Sequence, residues 1–212
     1  MTDDGREAAA RARREFDPRE LGARETTLLL KSLLIPRPIA WVGSRAGDGT
    51  ANLAPHSFVT MASEAPPIVL FTSIGRKDTL RCIEQTGEFT VSIVSSARTD
   101  AANLTSAPHP PETSEFEAVG IEPSDSVVVS APGVAASPAV LECVREQILP
   151  VGDGFLVLGR VVHVSVDAEV LRTDDRGRTL PDARALDPMS RLGRSEWAEL
   201  GRIRAVARPQ RG

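Results

Sequence analysis

Residues 35–94 read IPRPIAWVGSRAGDGTANLAPHSFVTMASEAPPIVLFTSIGRKDTLRCIEQTGEFTVSIV, short apolar runs cut by polar turns, with one helical interval before the last run. PIAWV, SFVTM, PIVLFTSI and EFTVSIV are rich in Val, Ile, Phe and Trp, which suit a pleated, half-buried surface, and each is too short for a core helix. They are read as four strands. Between the first two, AGDGT at 46–50 sets two glycines around an Asp, so the backbone can take positive φ without a Cβ clash, and it reads as a hairpin turn.

After the third run comes SIGRKDT at 73–79. Asp78 or Thr79 is expected to cap a helix whose apolar positions Leu80 and Ile83 are three apart and whose end is marked by Gly87. A helix N-terminus carries orphan N–H groups and about half a positive charge. Here Arg76, Lys77 and the hydroxyls of Ser73 and Thr79 would add to it. Lys77 stands out because the chain has only one other lysine, Lys31. Two readings fit: a phosphate seat, or a capped surface helix with solvated cations.

The 212 residues suffice for one domain with a single core. A net charge of −4 argues against a nucleic-acid partner, since phosphate backbones are held by concentrated Lys and Arg. Cys82 and Cys143 are far apart and no Cys/His ligand spacing occurs, so neither a structural zinc nor a disulfide framework is expected. No apolar run approaches the roughly 20 residues needed to span a bilayer, and the N-terminus has no signal-like apolar stretch. A cytoplasmic protein without membrane contact is the expectation. Residues 1–15 are expected to be a flexible tail, and 16–212 the domain.

Within 16–34 a helix is expected over the second half, with Leu28, Leu29 and Leu33 near one face packed on the domain, stopped by Pro36. Arg37 then either pairs with a carboxylate or reaches a ligand. SSARTDAANLTSA reads as a Ser-capped helix with Ala97, Ala101 and Leu104 as its stripe, and EFEAVG as a helical turn closed by Gly120. His109 lies between prolines and reads as a solvated loop residue. Two long runs, 139–149 and 155–166, flank VGDG and read as a hairpin. The second is apolar on both faces, and His163 in it reads as a core or interface histidine. The final residues, RIRAVARPQRG, read as a basic tail with a short strand-like run.

The ordered segments IPRPIAWVGS, NLAPHSF, KDTLRCIEQTGEFTVSIV, ANLTSAPHPPETSEFEAVGI, SPAVLECV, GDGFLVLGRVVHVSV and RLGRSEWAELG together resemble the flavin reductase-like family of FMN-binding split barrels. The resemblance implies a mainly β fold with peripheral helices, a six-stranded Greek-key split β-barrel that forms a homodimer and holds FMN beside the dimer interface. It implies hydride transfer from NADH or NADPH to flavin, and an oxygenase component as a recipient of reduced flavin. Carried over to this chain, Asn52, Leu53, Ala54, Pro55, His56 and Ser57 would lie along the isoalloxazine ring. Ser73, Arg76, Lys77, Asp78 and Thr79 would hold the ribityl phosphate. Arg37, Trp41 and Trp197 complete the implied flavin-binding set. The segment with Arg191, Leu192, Gly193 and Trp197 is implied to approach the ring or nicotinamide, with Trp197 equally readable as an anchor for the C-terminal segment. His56 stands where family members often carry Phe, so it either adds a protonatable group or keeps ring packing. The chain has only GR before KDT, where relatives carry a longer insertion.

No G-x-S-x-G, H-E-x-x-H, Walker A or G-x-G-x-x-G sequence occurs. No acid or base catalyst is therefore assigned; with flavin, the redox chemistry would belong to the cofactor. The alternatives are a flavin-binding carrier or sensor without turnover, and a split-barrel flavoenzyme acting on another small molecule.

Overall fold

A computed structural model describes residues 12–110, 112–207 and 209. Most of the expected tail, residues 1–11, lies outside the described residues. The apolar runs form one antiparallel sheet of seven strands: β1 (Ala40–Arg45), β2 (Ala51–His56), β3 (Val59–Ser63), β4 (Ile68–Ile74), β5 (Glu88–Ile93), β6 (Ala139–Val151) and β7 (Gly154–Val166). Their order is β2-β1-β5-β6-β7-β4-β3.

β2 and β3 are thus opposite edges of the sheet, yet only Ser57 and Phe58 join them. Seven flat strands would hold those edges about 29 Å apart, whereas three backbone steps reach about 11 Å at most. The sheet must curl until its edges meet. The result is a barrel with a seam along β2 and β3 that no ladder pairing closes.

The sheet has one strand more than the six expected. The additional strand is β2, which contains Pro55; it is an edge strand, where the missing N–H costs no ladder hydrogen bond. The run expected at SFVTM starts two residues later, at Val59. The two expected hairpin turns are present, with β1 facing β2 across 46–50 and β6 facing β7 across Gly152 and Asp153.

Period-two alternation divides the core. From β1, Ala40 and Val42 join Phe71, Phe89, Val91, Cys143 and Val157 inside the barrel. Ile39 and Trp41 point the other way, to Leu53, Val94, Ala102, Phe116 and Met189. Helix α3 (Asp78–Thr86) plugs the interior with Leu80 and Ile83, both 0% exposed, each worth about 1.5–3 kcal/mol of burial. Gly159 on β7 has no side chain because a Cβ there would stand 2.2 Å from the Phe89 ring. α3 ends as expected at Gly87, left-handed at φ 75°, whose N–H reaches the Ile83 carbonyl. Its start differs: the N-cap is Lys77, without a side-chain cap, and Asp78 and Thr79 are already helical.

Outside the barrel lie α1 (Pro18–Leu21), α2 (Ala23–Leu33), α4 (Thr99–Leu104) and α5 (Glu115–Val119). α2 ends before Pro36 as expected, but none of its side chains is buried, and Leu28 and Leu33 are largely exposed. It is tied down through its C-terminal carbonyls instead, as described below. α4 buries Ala102, while Leu104 faces outward. A strand pair absent from the sequence reading joins Arg37–Pro38 to Ser190–Arg191, which also pairs with Trp197–Ala198. On β6, buried Glu142 accepts the backbone N–H groups of Val127, Val128 and Val129 and lies 3.0 Å from His163 Nδ1. His163 is therefore part of a structural contact. No helix among the described residues is long and apolar enough to cross a membrane.

Candidate functional site

At the seam, the outer wall of β2, the 75–77 turn and first turn of α3, and the loop 105–109 enclose a groove of about 450 Å³. Eight of the fourteen expected site residues line it: Asn52, Ala54, Pro55, His56, Arg76, Lys77, Asp78 and Thr79. Three more, Arg37, Ser57 and Trp197, line a neighbouring cleft that shares Pro55. The remaining three lie beneath the surface. Leu53 is in the outer core. Trp41 is 1% exposed and its indole N–H donates to Thr105 Oγ1 at 2.9 Å, which steadies the 105–109 loop. The Ser73 hydroxyl donates to the Gly75 carbonyl at 3.0 Å and shapes the turn before α3.

The N-terminus of α3 faces the groove, and its N-cap residue Lys77 makes no side-chain cap, so among the described residues its leading N–H groups lack a capping side chain. The side chains expected to help are mostly engaged elsewhere. The Arg76 guanidinium meets Glu84 at 2.5 Å and lies over the Phe155 ring. Asp78 pairs with Arg81. The Thr79 hydroxyl donates to Asn52 Oδ1 at 2.9 Å. Lys77 makes no ion pair among the described residues, and its charge is close enough to act on His56. The anion-binding capacity of this end of the groove therefore rests on backbone N–H groups and Lys77.

A buried polar network fixes the groove wall. Asn52 Oδ1 also accepts from Ser44 Oγ at 3.2 Å, and its Nδ2 donates to Glu115 Oε2 at 2.9 Å. The same Glu115 oxygen accepts the Leu53 backbone N–H at 2.9 Å. Glu115, from the first turn of α5, thus clamps β2 and, through Asn52, the start of α3. Sequence reasoning missed it: nothing local separates buried Glu115 from exposed Glu117, two residues along one short helix.

His56 closes the barrel side of the groove. Its ring packs 4.6 Å from that of Phe71, it is 8% exposed, and its Nε2 has no hydrogen-bond partner among the described residues. Burial and the nearby Lys77 charge push its pKa down to about 4, against the opposing pull of the Thr72 backbone, so the ring is neutral near pH 7. His109, in the same groove, also presents a buried Nε2 without a partner. Among the described residues, two unpartnered ring nitrogens, uncapped helical N–H groups and the Lys77 ammonium form a polar slot with a cationic end, suited to a flat ligand with polar edges and an anionic tail. FMN has that chemistry, and the residues present fit it. No group of three or more His, Cys, Asp or Glu placed to hold a metal ion occurs among the described residues.

Comparison with known proteins agrees with this picture. Residues 32–181 match the Flavin reductase like domain. An uncharacterised protein of Halalkalibacterium halodurans is 36% identical over 207 residues, 92% of this chain and 96% of that protein. Among solved structures, the chain is similar to nitrilotriacetate monooxygenase component B from Bacillus cereus, with a TM-score of 0.86 and 34% identity over 93% of this chain and 100% of that one. It is also similar to 2-nitrobenzoate 2-nitroreductase from Pseudomonas fluorescens, with a TM-score of 0.83 and 25% identity over 92% and 96%. The seamed barrel, the polar groove beside it and these matches lead to one assignment: the chain belongs to the flavin reductase-like family and has its split-barrel fold.

Proposed function

We propose that this chain is an FMN-binding oxidoreductase that passes hydride from NADH or NADPH to flavin, works as a homodimer, and supplies reduced flavin to an oxygenase component. The observation that carries this reading is the groove itself, in which an uncapped helix N-terminus with Lys77 lies across from β2 and the unpartnered Nε2 of His56. Bound there, FMN would supply a hydride acceptor at its ring. The chain's own part is to bind and orient. The α3 N–H groups and Lys77 hold the phosphate. The Ala54–Pro55–His56 wall, kept in place by Glu115 and Asn52, supports the ring. Neutral His56 offers or accepts one hydrogen bond at a position that water reaches poorly. Support for a flavin-supplying role comes from the similarity to the monooxygenase component B. Val162 and Val164, alternate and exposed on one face of β7, offer apolar surface to a second copy.

The test is an absorbance spectrum of the purified protein with FMN added, followed by anaerobic addition of NADH and then NADPH. Bleaching of the flavin band is expected. Binding without bleaching would replace the reductase with a carrier or with a different donor, and no binding would remove the proposal. The similarity to a nitroreductase favours one second reading, direct reduction of a small aromatic acid by the bound flavin. Faster flavin reoxidation by 2-nitrobenzoate than by free FMN would select it.

A further inference from the structure

Beside the flavin groove, and sharing Pro55 with it, lies a cleft of about 320 Å³ whose walls carry Lys31 from α2, Arg37, Arg191 and Arg194, and no carboxylate. In a chain with 29 acidic and 25 basic residues, four cations around one hollow without an acid is an unbalanced arrangement. None of the four forms an ion pair among the described residues. Arg37 is 9% exposed; its guanidinium donates to the carbonyls of Lys31, Leu34 and Leu192, which clamps the end of α2 to the 190s segment. Its Nε remains buried without a partner among the described residues, and the Arg191 charge acts on the guanidinium. Arg191 lies 5.2 Å over the Trp197 ring and donates to the Arg194 carbonyl at 2.7 Å, so the positive edge of the cleft is pre-ordered. A hollow lined by one sign of charge concentrates counter-ions within it.

We propose that this cleft seats the phosphate groups of the second reactant, the nicotinamide dinucleotide, with Trp197 as its apolar floor and Pro55 as the threshold across which the donor's reactive end enters the flavin groove. The assignment rests on the flavin reading of the neighbouring groove. Four cations call for more negative charge than one carboxylate brings, which selects a phosphate-bearing ligand over a simple acid. The phosphate can be the pyrophosphate common to both dinucleotides or the extra 2′-phosphate of the phosphorylated one, and the titration below separates them.

Oxidised NAD+ and NADP+, which cannot reduce flavin, are titrated calorimetrically into the FMN-loaded protein, and inorganic pyrophosphate into the flavin-free protein. Wild type is compared with Lys31→Gln and Arg194→Gln, two changes on separate elements. FMN affinity is measured separately for each. Each substitution is expected to weaken dinucleotide and pyrophosphate binding about fivefold, the upper range for a half-exposed charge pair. Binding is expected to fall with added salt, while FMN affinity stays at the wild-type value. Equal losses for NAD+ and NADP+ assign the cleft to the pyrophosphate; a larger loss for NADP+ assigns it to the 2′-phosphate. Unchanged dinucleotide affinity in both variants, or no pyrophosphate binding by wild type, overturns the proposal. So does a loss of FMN affinity in the variants, which would give the cleft to the flavin's own phosphate. A protein that binds pyrophosphate in the cleft but no FMN would sink the flavin reading and leave the anion cleft standing.

Discussion

His56 makes the groove's condition measurable through folding stability. In the unfolded chain it titrates at its ordinary 6.5, and in the fold burial and Lys77 hold it down to about 4. The folded state therefore binds fewer protons between these values. Stability is fully present above pH 6.5 and falls as pH drops, by about 1.4 kcal/mol per unit, to a total near 3 kcal/mol at pH 4. At pH 5 the loss works out to about 2 kcal/mol. The perturbation is His56→Phe, which keeps a ring against Phe71, 4.6 Å away in the wild type, and removes both the proton and the unpartnered Nε2. At pH 7.5 the variant should be at least as stable as wild type, since an orphaned buried polar group costs roughly 1–3 kcal/mol. Urea unfolding of both flavin-free proteins at pH 7.5 and 5.0 gives the double difference. Carboxylates held low in the fold, such as Glu142 with its three backbone N–H partners, titrate alike in both proteins and cancel. A double difference below about 0.5 kcal/mol would mean that His56 takes up its proton in the fold near the ordinary pH, and the neutral-wall account of the groove would be wrong.

Lys77→Ala should weaken FMN about tenfold, the lower range for a hydrogen bond to a charged group, and Thr79→Ala should act more weakly, by loosening Asn52; quenching of FMN fluorescence reads both, and an unchanged Kd for Lys77→Ala would move the phosphate elsewhere. Glu115→Ala leaves the Leu53 N–H and Asn52 Nδ2 without their acceptor and should cost about 3 kcal/mol, with Glu115→Gln recovering part of it in chemical denaturation. A loss under 1 kcal/mol for Glu115→Ala would show the network to be replaceable by water. Gly159→Ala drives a methyl into the Phe89 ring and should cost about 1–3 kcal/mol by overpacking; a thermal midpoint equal to wild type would mean that the barrel interior has slack.

Much of the barrel is legible in the sequence because the relevant patterns are local. Period-two runs mark the strands, the Leu80–Ile83 spacing marks the buried face of α3, and Gly87 and the 152–153 turn stop and reverse the chain through backbone conformations that neighbouring residues dictate. The donor-rich turn at 75–79 is legible for the same reason. β2 was hidden because Pro55 argues against a strand, and only its place at the edge of the closed sheet removes the objection. Which polar groups are spent and which remain free was decided by tertiary contacts. Ser73, Arg76 and Thr79 are all donors in the sequence, but the fold turns them to Gly75, Glu84 and Asn52 and leaves Lys77. Glu115 and the cationic cleft lie furthest from any local reading. The first differs from Glu117 only in what faces it, and the second is assembled by the Arg37 hydrogen bond to Leu192, 155 positions away. The segments and their polarity follow from local residue patterns; which charges meet follows from closure of the sheet, because a side chain's partners depend on where distant strands arrive.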